Sequence, residues 1–323
     1  MRSCLGCLTV LFVISAGGVI RTAGAIQVAG ASGGTQDQPI RDKRSFRSSI
    51  EVTSITATVR DPGGRLITGL PRAAFEVLED GERQTITQFT HERVPISLGV
   101  LLDISDSMYG QRILDARASV DRFLFELLDP SDEFFILAFN HQPHVLTGWT
   151  NSPEVVRRAL DALRPSGGTA AYDAVLAALP MVAHRSRQRA ALLLISDGAD
   201  TASTATLREV RTALLRGDTF VYAIAVDSPE PQPINARVNP TTLKELTDDS
   251  GGRTEVVRNT LDLIAATARI AEELNSQYVL GYTSPRTADG QYHSIRVRVP
   301  GTEYRVRARN GYVAAPLGSK TEK

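Results

Sequence analysis

The chain has 323 residues, 42% hydrophobic and 22% charged, which suits one large α/β domain with a smaller companion and excludes wholesale disorder. Its 36 basic and 36 acidic residues cancel, so no global field directs it to nucleic acid or to an anionic membrane surface. The two cysteines, Cys4 and Cys7, both stand at the extreme N-terminus, so a disulfide framework in the folded part is excluded as well.

The N-terminus combines a basic start at Arg2, an apolar stretch from Cys4 to Ile20 and the small-residue run Ala23-Gly24-Ala25. These are the three parts of a secretory signal peptide, predicted over 1–25 with cleavage after Ala25. The alternative is an uncleaved membrane anchor, but the stretch is at the short limit for a span and contains Gly17-Gly18. The expected location is the periplasm or the extracellular space, with no membrane span after cleavage. The CxxC spacing of Cys4 and Cys7 carries no redox or zinc meaning in a segment that is removed. Residues 26–45, rich in Gly, Ser, Gln and Asp, read as a flexible linker.

From 46 to 93 short alternating runs predict antiparallel strands. Ile50 to Val59 alternates through the apolar positions Ile50, Val52, Ile55, Ala57 and Val59, Phe75-Glu76-Val77-Leu78 follows, and Asp61-Pro62-Gly63-Gly64 and Asp80-Gly81 supply the turns. After Pro95 the period changes. Apolar strands (Ile96 to Leu102, Phe134 to Phe139, Ala190 to Ile195, Phe220 to Val226) alternate with helical stretches (Ile113 to Leu128, Pro153 to Leu163, Ala170 to Ala183, Thr206 to Leu215), and a helix from Leu261 to Leu274 ends the series. This predicts, over 94–275, a doubly wound, mostly parallel sheet covered by helices on both faces. A hairpin around His141-Gln142-Pro143-His144 adds one antiparallel edge strand. The Pro-rich stretch from Asp227 to Pro240 reads as an irregular loop near the same sheet face, with a helix starting at Thr241-Thr242. Strands return over 276–315, where Ile295, Val297 and Val299 oppose Arg296 and Arg298. The two β segments are each thin for a core of their own. They are expected to pair into one small antiparallel β-sandwich into which the α/β domain is inserted, leaving 316–323 as a flexible tail.

The chemistry concentrates at strand ends. Asp103-Ile104-Ser105-Asp106-Ser107 follows the first apolar strand directly, placing a carboxylate and two hydroxyls at alternate positions. Thr169 sits on the loop Gly167-Gly168-Thr169, and Asp197 follows the run Leu192-Leu193-Leu194-Ile195-Ser196. In an open α/β sheet, groups beyond the carboxyl ends of the strands converge in one crevice. Asp103, Ser105, Ser107, Thr169 and Asp197 then form an all-oxygen set, which suits Mg²⁺, Mn²⁺ or Ca²⁺ and disfavours zinc and copper. Mg²⁺ is the expected cation, since six-coordination leaves room for water and an outside ligand.

The DxSxS frame, the downstream threonine and the strand ending in Ser196-Asp197-Gly198 resemble the metal-ion-dependent adhesion site (MIDAS) of von Willebrand factor type A (VWA) domains. That resemblance implies direct ligation by Ser105 and Ser107, state-dependent ligation by Thr169, and direct or water-mediated roles for Asp103 and Asp197. It also implies that an Asp or Glu of a protein partner fills the open position, so the activity is capture and not enzymatic turnover. Asp106 has no role in that pattern. The β segments, through Val59-Arg60-Asp61, Leu70, Phe75-Glu76-Val77-Leu78-Glu79-Asp80-Gly81 and Gln277-Tyr278-Val279-Leu280-Gly281-Tyr282, resemble secreted bacterial proteins related to VWA domains.

Several other readings compete. Ser105 and Ser107 would merely cap the next helix in one. In another the site is vestigial, and in a third the metal only stabilises a structural or assembly module. A metal-dependent hydrolase is weaker still. A haloacid-dehalogenase-like phosphatase needs a second carboxylate where Ser105 stands, and neither Ser105 nor Ser196 has the flanking glycines of a nucleophile elbow. His141 and His144 lack the glutamate of an HExxH motif and read as turn residues, while His91, His184 and His293 are expected to face solvent.

Overall fold

The computed structural model of the protein describes residues 52–197, 200–227, 240–286 and 289–314. The segments expected to be a signal peptide (1–25), a linker (26–45) and a tail (316–323), and most of the Pro-rich stretch after Asp227, lie outside the described residues. The chain passes through β1 (Val52–Arg60), β2 (Glu76–Glu79), β3 (Glu82–Gln84) and β4 (Ile86–Thr90) before entering β5 (Ile96–Asp103) and α1 (Gln111–Arg122). Then follow β6 (Glu133–Phe139), β7 (Pro143–Thr150), α2 (Pro153–Asp161), α3 (Ala171–Ala183), β8 (Arg189–Ser196), α4 (Leu207–Leu215) and β9 (Phe220–Val226). The last elements are α5 (Pro240–Ser250), β10 (Thr254–Val257), α6 (Thr260–Asn275), β11 (Tyr278–Thr283), β12 (Tyr292–Arg298), β13 (Arg305–Ala308) and β14 (Gly311–Val313).

The central sheet has the order β10-β9-β8-β5-β6-β7, parallel throughout except for the antiparallel edge strand β7. Every residue of β5 and of β8 is buried, as strands must be when helices cover both faces. Leu98, Val100 and Leu102 join one core with α1, α2 and α6, whereas Leu101 joins the other with α3, α4 and α5. Gly99 shares the second face because the Phe135 ring occupies its side-chain space: a Cβ there would stand 2.3 Å from Phe135 Cζ. From β5 the sheet grows first toward β6 and β7, then the chain returns to build β8, β9 and β10 on the other side. The helices that follow β5 and β8 therefore leave toward opposite faces, opening a crevice at the carboxyl ends of these two strands.

Helix starts follow their caps. Ser152 and Asn259 accept from backbone N–H groups of α2 and α6, and Thr206 with Glu209 forms a capping box on α4. The predicted helix 113–128 is α-helical only to Arg122 and continues as a π-helical segment over Phe123–Leu127. The wider turn accommodates two consecutive core residues, Phe123 and Leu124. Strand β10 has no counterpart in the sequence reading. It is a short edge strand with one buried residue, Val257, so it lacks a period-2 signature.

Strands from both ends of the described chain form two four-stranded sheets, β13-β1-β11-β4 and β14-β12-β2-β3, around a shared core that includes Ile55, Val77, Tyr278, Leu280 and Val297. His293, expected to face solvent, is 4% exposed. It has the parity of Ile295 and Val297 on β12, so the strand carries it to the inner face. The joint between sandwich and α/β domain is polar and buried. Glu273 of α6 accepts from Arg60 (2.9 Å) and Arg307 and from Tyr222 Oη (2.9 Å), and Arg189, the first residue of β8, donates to the carbonyls of Val94 (2.9 Å) and Leu274 (3.0 Å). These contacts lie at the amino ends of the parallel strands, away from the crevice. No helix among the described residues is long and apolar enough to cross a membrane.

Candidate metal centre

Strands β5 and β8 run in register, Leu102 beside Ile195, so Asp103 emerges next to Ser196. The Ser196 hydroxyl donates to Asp103 Oδ2 at 2.6 Å, and Ser105 N donates to Oδ1 at 2.8 Å. The Ser105 and Ser107 hydroxyls are 3.0 Å apart, and Ser107 Oγ donates to Asp197 Oδ1 at 2.7 Å. A continuous set of hydrogen bonds thus runs from one strand-end carboxylate to the other through the two serines. Asp103, Ser105 and Asp197 are buried while Ser107 is exposed, which gives the cluster one open side. Asp106 is exposed and outside it.

Neither serine acts as a helix cap. Ser105 precedes a single 3₁₀ turn over Asp106–Met108 without a capping bond from its side chain, and α1 begins behind Gly110 with no side-chain cap. Both hydroxyls are used within the cluster instead.

Thr169 reaches the same end of the sheet by backbone contacts. Ser166 N donates to Ile104 O and Asp106 N to Gly167 O, at 2.8 and 2.9 Å, which ties the Gly-rich loop to the Asp103 loop. Gly167 sits at φ 79°, where only glycine is unstrained. Thr169 N donates to Thr201 Oγ1, and Thr169 O accepts from Thr201 N and Ala202 N, so the loop after β8 holds it from the other side. Asp200 and Ser203 accept from Tyr172 N at the start of α3 and strengthen that tie. Among the described residues the hydrogen bonds joining Asp103, Ser105, Ser107 and Asp197 do not extend to the Thr169 hydroxyl.

Burial raises the Asp103 carboxyl to a pKa of about 6, although hydrogen bonds from Ser196 and Ser105 oppose the rise and the nearby Asp197 adds to it. Burial raises Asp197 as well, against the hydrogen bond from Ser107 and the charge of Arg112. Two buried carboxylates of like charge at one strand-end crevice are costly unless a cation shares the space. The donor set is also right for a hard cation: carboxylate and hydroxyl oxygens, with no nitrogen or sulfur. The residues present therefore fit a divalent ion of the Mg²⁺ class. Among the described residues no cluster of three or more His, Cys, Asp and Glu is placed to hold a metal. This candidate has two carboxylates and draws its remaining donors from hydroxyls. His141 is exposed and His144 half-buried at the β6–β7 turn.

Two neighbours of the cluster escape the sequence pattern. Ser196 fixes Asp103 from β8. Arg112 Nη1 contacts Asp197 Oδ2 at 2.9 Å and Ser107 O at 2.6 Å. A serine one residue before the second aspartate was the available signal for the first; nothing in the spacing of Arg112 marks the second.

Residues 98–199, the segment that holds all five candidate ligands, match the sequence profile of the von Willebrand factor type A domain. The chain carries a von Willebrand factor type A domain. The mixed fold, with its mostly parallel central sheet, agrees with a solved von Willebrand factor type A protein from Catenulispora acidiphila at 12% identity and a TM-score of 0.50, covering 85% of this chain and 76% of that one. The vWF domain of the type V pili tip protein Mfa5 from Porphyromonas gingivalis aligns at 15% identity and a TM-score of 0.47, covering 57% and 96% of the respective chains. BatB from Bacteroides thetaiotaomicron aligns at 23% identity and a TM-score of 0.47, covering 55% and 97%. No curated protein sequence matches the chain. VWA domains are known for protein–protein interaction and adhesion.

Proposed function

We propose that the protein is an exported binding module that captures a protein partner through a divalent cation, Mg²⁺ in the first instance, at a MIDAS formed by Asp103, Ser105, Ser107, Thr169 and Asp197. The observation that carries this reading is the hydrogen-bonded run Asp103, Ser105, Ser107, Asp197 across the carboxyl ends of β5 and β8. When bound, the cation supplies a Lewis-acidic position for an Asp or Glu side chain of the partner. The residues of the chain itself do the positioning. Ser196 and Ser105 N orient the Asp103 carboxylate, and the Thr201 and Ala202 N–H groups fix the backbone of Thr169. Ser105 and Ser107 are neutral donors, so they leave much of the cation's charge available to an incoming carboxylate. Tyr109, 79% exposed on the loop beside Ser107, offers an aromatic contact at the rim. Export rests on the signal-like N-terminus.

The test is a pull-down from native envelope extract with the full chain, in Mg²⁺ and then in chelator, together with Mg²⁺ titration by calorimetry. Partner capture and Mg²⁺ binding are both expected in the wild type and lost in Asp103→Ala and Ser105→Ala. Capture that survives the chelator and both substitutions refutes the metal reading. Mg²⁺ binding that raises the melting temperature while capture ignores it would instead assign the ion a purely structural role.

A further inference from the structure

We infer that Arg112 is a resident counterion of the metal centre: its guanidinium competes with the divalent cation for Asp197 and sets how tightly the cation is held. The inference rests on the reading above that these oxygens bind a cation, and it concerns a residue outside the DxSxS, Thr and Asp pattern.

Three observations carry it. First, both oxygens of Asp197 are engaged by the protein, Oδ1 by Ser107 Oγ at 2.7 Å and Oδ2 by Arg112 Nη1 at 2.9 Å. Arg112 is thus a positive charge in direct contact with a carboxylate assigned to the cation. Second, the same Nη1 donates to Ser107 O at 2.6 Å, so one nitrogen clamps the serine loop to the end of β8. Third, the helix does not explain the position. Arg112 lies in the first turn of α1, where the helix dipole disfavours a cation, and that turn has no acidic residue and no side-chain cap at Gly110. What holds Arg112 there is Asp197.

Its physical consequence is a competition between two cations. A guanidinium in contact with a 5%-exposed carboxylate offsets part of the burial cost of that charge without any metal. A divalent ion drawn to the same carboxylate meets this like charge and must either tolerate it or displace it. The Arg112 side chain is 23% exposed, at the rim, so it has solvent to move into. Arg112 therefore stabilises the fold when cation is scarce and weakens cation binding when it is abundant.

The experiment compares the full chain with Arg112→Gln and Arg112→Lys, using Mn²⁺ as the probe. Mn²⁺ affinity is read by calorimetry and by the electron paramagnetic resonance signal of free Mn²⁺, and melting is followed in chelator and in saturating Mn²⁺. Arg112→Gln is expected to bind Mn²⁺ about tenfold more tightly than wild type. It is also expected to melt lower than wild type in chelator and to gain more on Mn²⁺ addition. Arg112→Lys, which keeps the charge and loses the planar fork, is expected to fall between the two in affinity. A loss of packing alone would lower both melting curves and leave the affinity unchanged. Wild-type Mn²⁺ binding with equal or weaker binding by Arg112→Gln overturns the role of Arg112 and leaves the metal reading standing. Absence of Mn²⁺ binding in all three proteins overturns both.

Discussion

At the scale of single residues, Asp103 is the most constrained group in the cluster. It has no exposed surface, its two oxygens accept from Ser105 N and Ser196 Oγ, and burial raises its pKa to about 6. A carboxylate kept there by an intramolecular role alone would be replaced by asparagine at little cost, because Asn retains Oδ1 for Ser105 N and offers its amide to the Ser196 oxygen. A carboxylate kept for a cation behaves differently. Asp103→Asn is expected to melt no lower than wild type in chelator, since a buried charge has gone, yet to show none of the wild type's rise in melting temperature on adding Mg²⁺. Differential scanning calorimetry with and without Mg²⁺ checks both halves, and an equal Mg²⁺ response in the variant counts against Asp103 as a ligand. The five candidate ligands were legible in the sequence because each stands at the end of an apolar strand or beside a Gly-Gly turn. Ser196 was visible beside Asp197, but its bond to Asp103 arises only when β8 lies beside β5, and nothing in the sequence marked Arg112, whose contact with Asp197 arises only in the fold.

At the scale of elements, His293 shows both what parity reveals and what it hides. The alternation of Ile295, Val297 and Val299 was legible, and extending it back by one step puts His293 on the same inner face; reading the histidine as a lone polar residue missed this. In the structure its Nδ1 lies 2.8 Å from Asp80 Oδ2 and its Nε2 3.1 Å from both oxygens of Asp289, with the Tyr312 ring alongside and Arg286 Nη1 3.2 Å from the same Asp80 Oδ2. Burial alone would lower the imidazole pKa, but the hydrogen bonds and charges of the two aspartates prevail and raise it above 6.5. The sign follows from linkage: the folded state binds the proton more tightly, so this contribution is fully present below the unfolded pKa and is lost as pH rises through the folded one. His293→Gln should therefore destabilise most at pH 6 and progressively less toward pH 9, in urea midpoints measured across that range. A constant difference at all pH values would show that packing, not charge, fixes His293. The elements the sequence missed or misjudged have a common cause. Strand β10 buries too few residues to show a period, and the π-helical segment after Arg122 depends on Phe123 and Leu124 both finding the core.

At the scale of the whole molecule, the insertion of the VWA domain between two halves of a β-sandwich was legible from the thinness of each β segment, but the joint was not. Periodicity reports apolar faces, and this joint is ionic. Glu273, fully buried, faces Arg60 of β1, Arg253 and Arg307 of β13, and its neighbours Thr58, Tyr222 and Gln277 close the network. Burial raises the Glu273 pKa, but the charges and hydrogen bonds of Arg307, Arg253 and Arg60 outweigh it and hold the carboxyl below its ordinary value. A depressed carboxylate contributes stability that is present above the unfolded pKa near 4.5 and lost as pH falls through the folded pKa. Removing that charge leaves three arginines facing one another across the joint, a loss of about 3 kcal/mol for a broken buried pair. Glu273→Gln is thus expected to lower the denaturant midpoint strongly at pH 7, with the deficit shrinking below pH 4.5. Because the joint couples the two parts, calorimetry of the variant should resolve two melting transitions where the wild type shows one. The network sits at the amino ends of the parallel strands and the oxygen cluster at their carboxyl ends, so Mg²⁺ affinity at 25 °C should be unchanged in the same variant. A single transition at the wild-type temperature would mean that apolar contacts, not this carboxylate, hold the sandwich to the VWA domain. A fall in Mg²⁺ affinity with the fold intact would mean that the sandwich and the site communicate along β8.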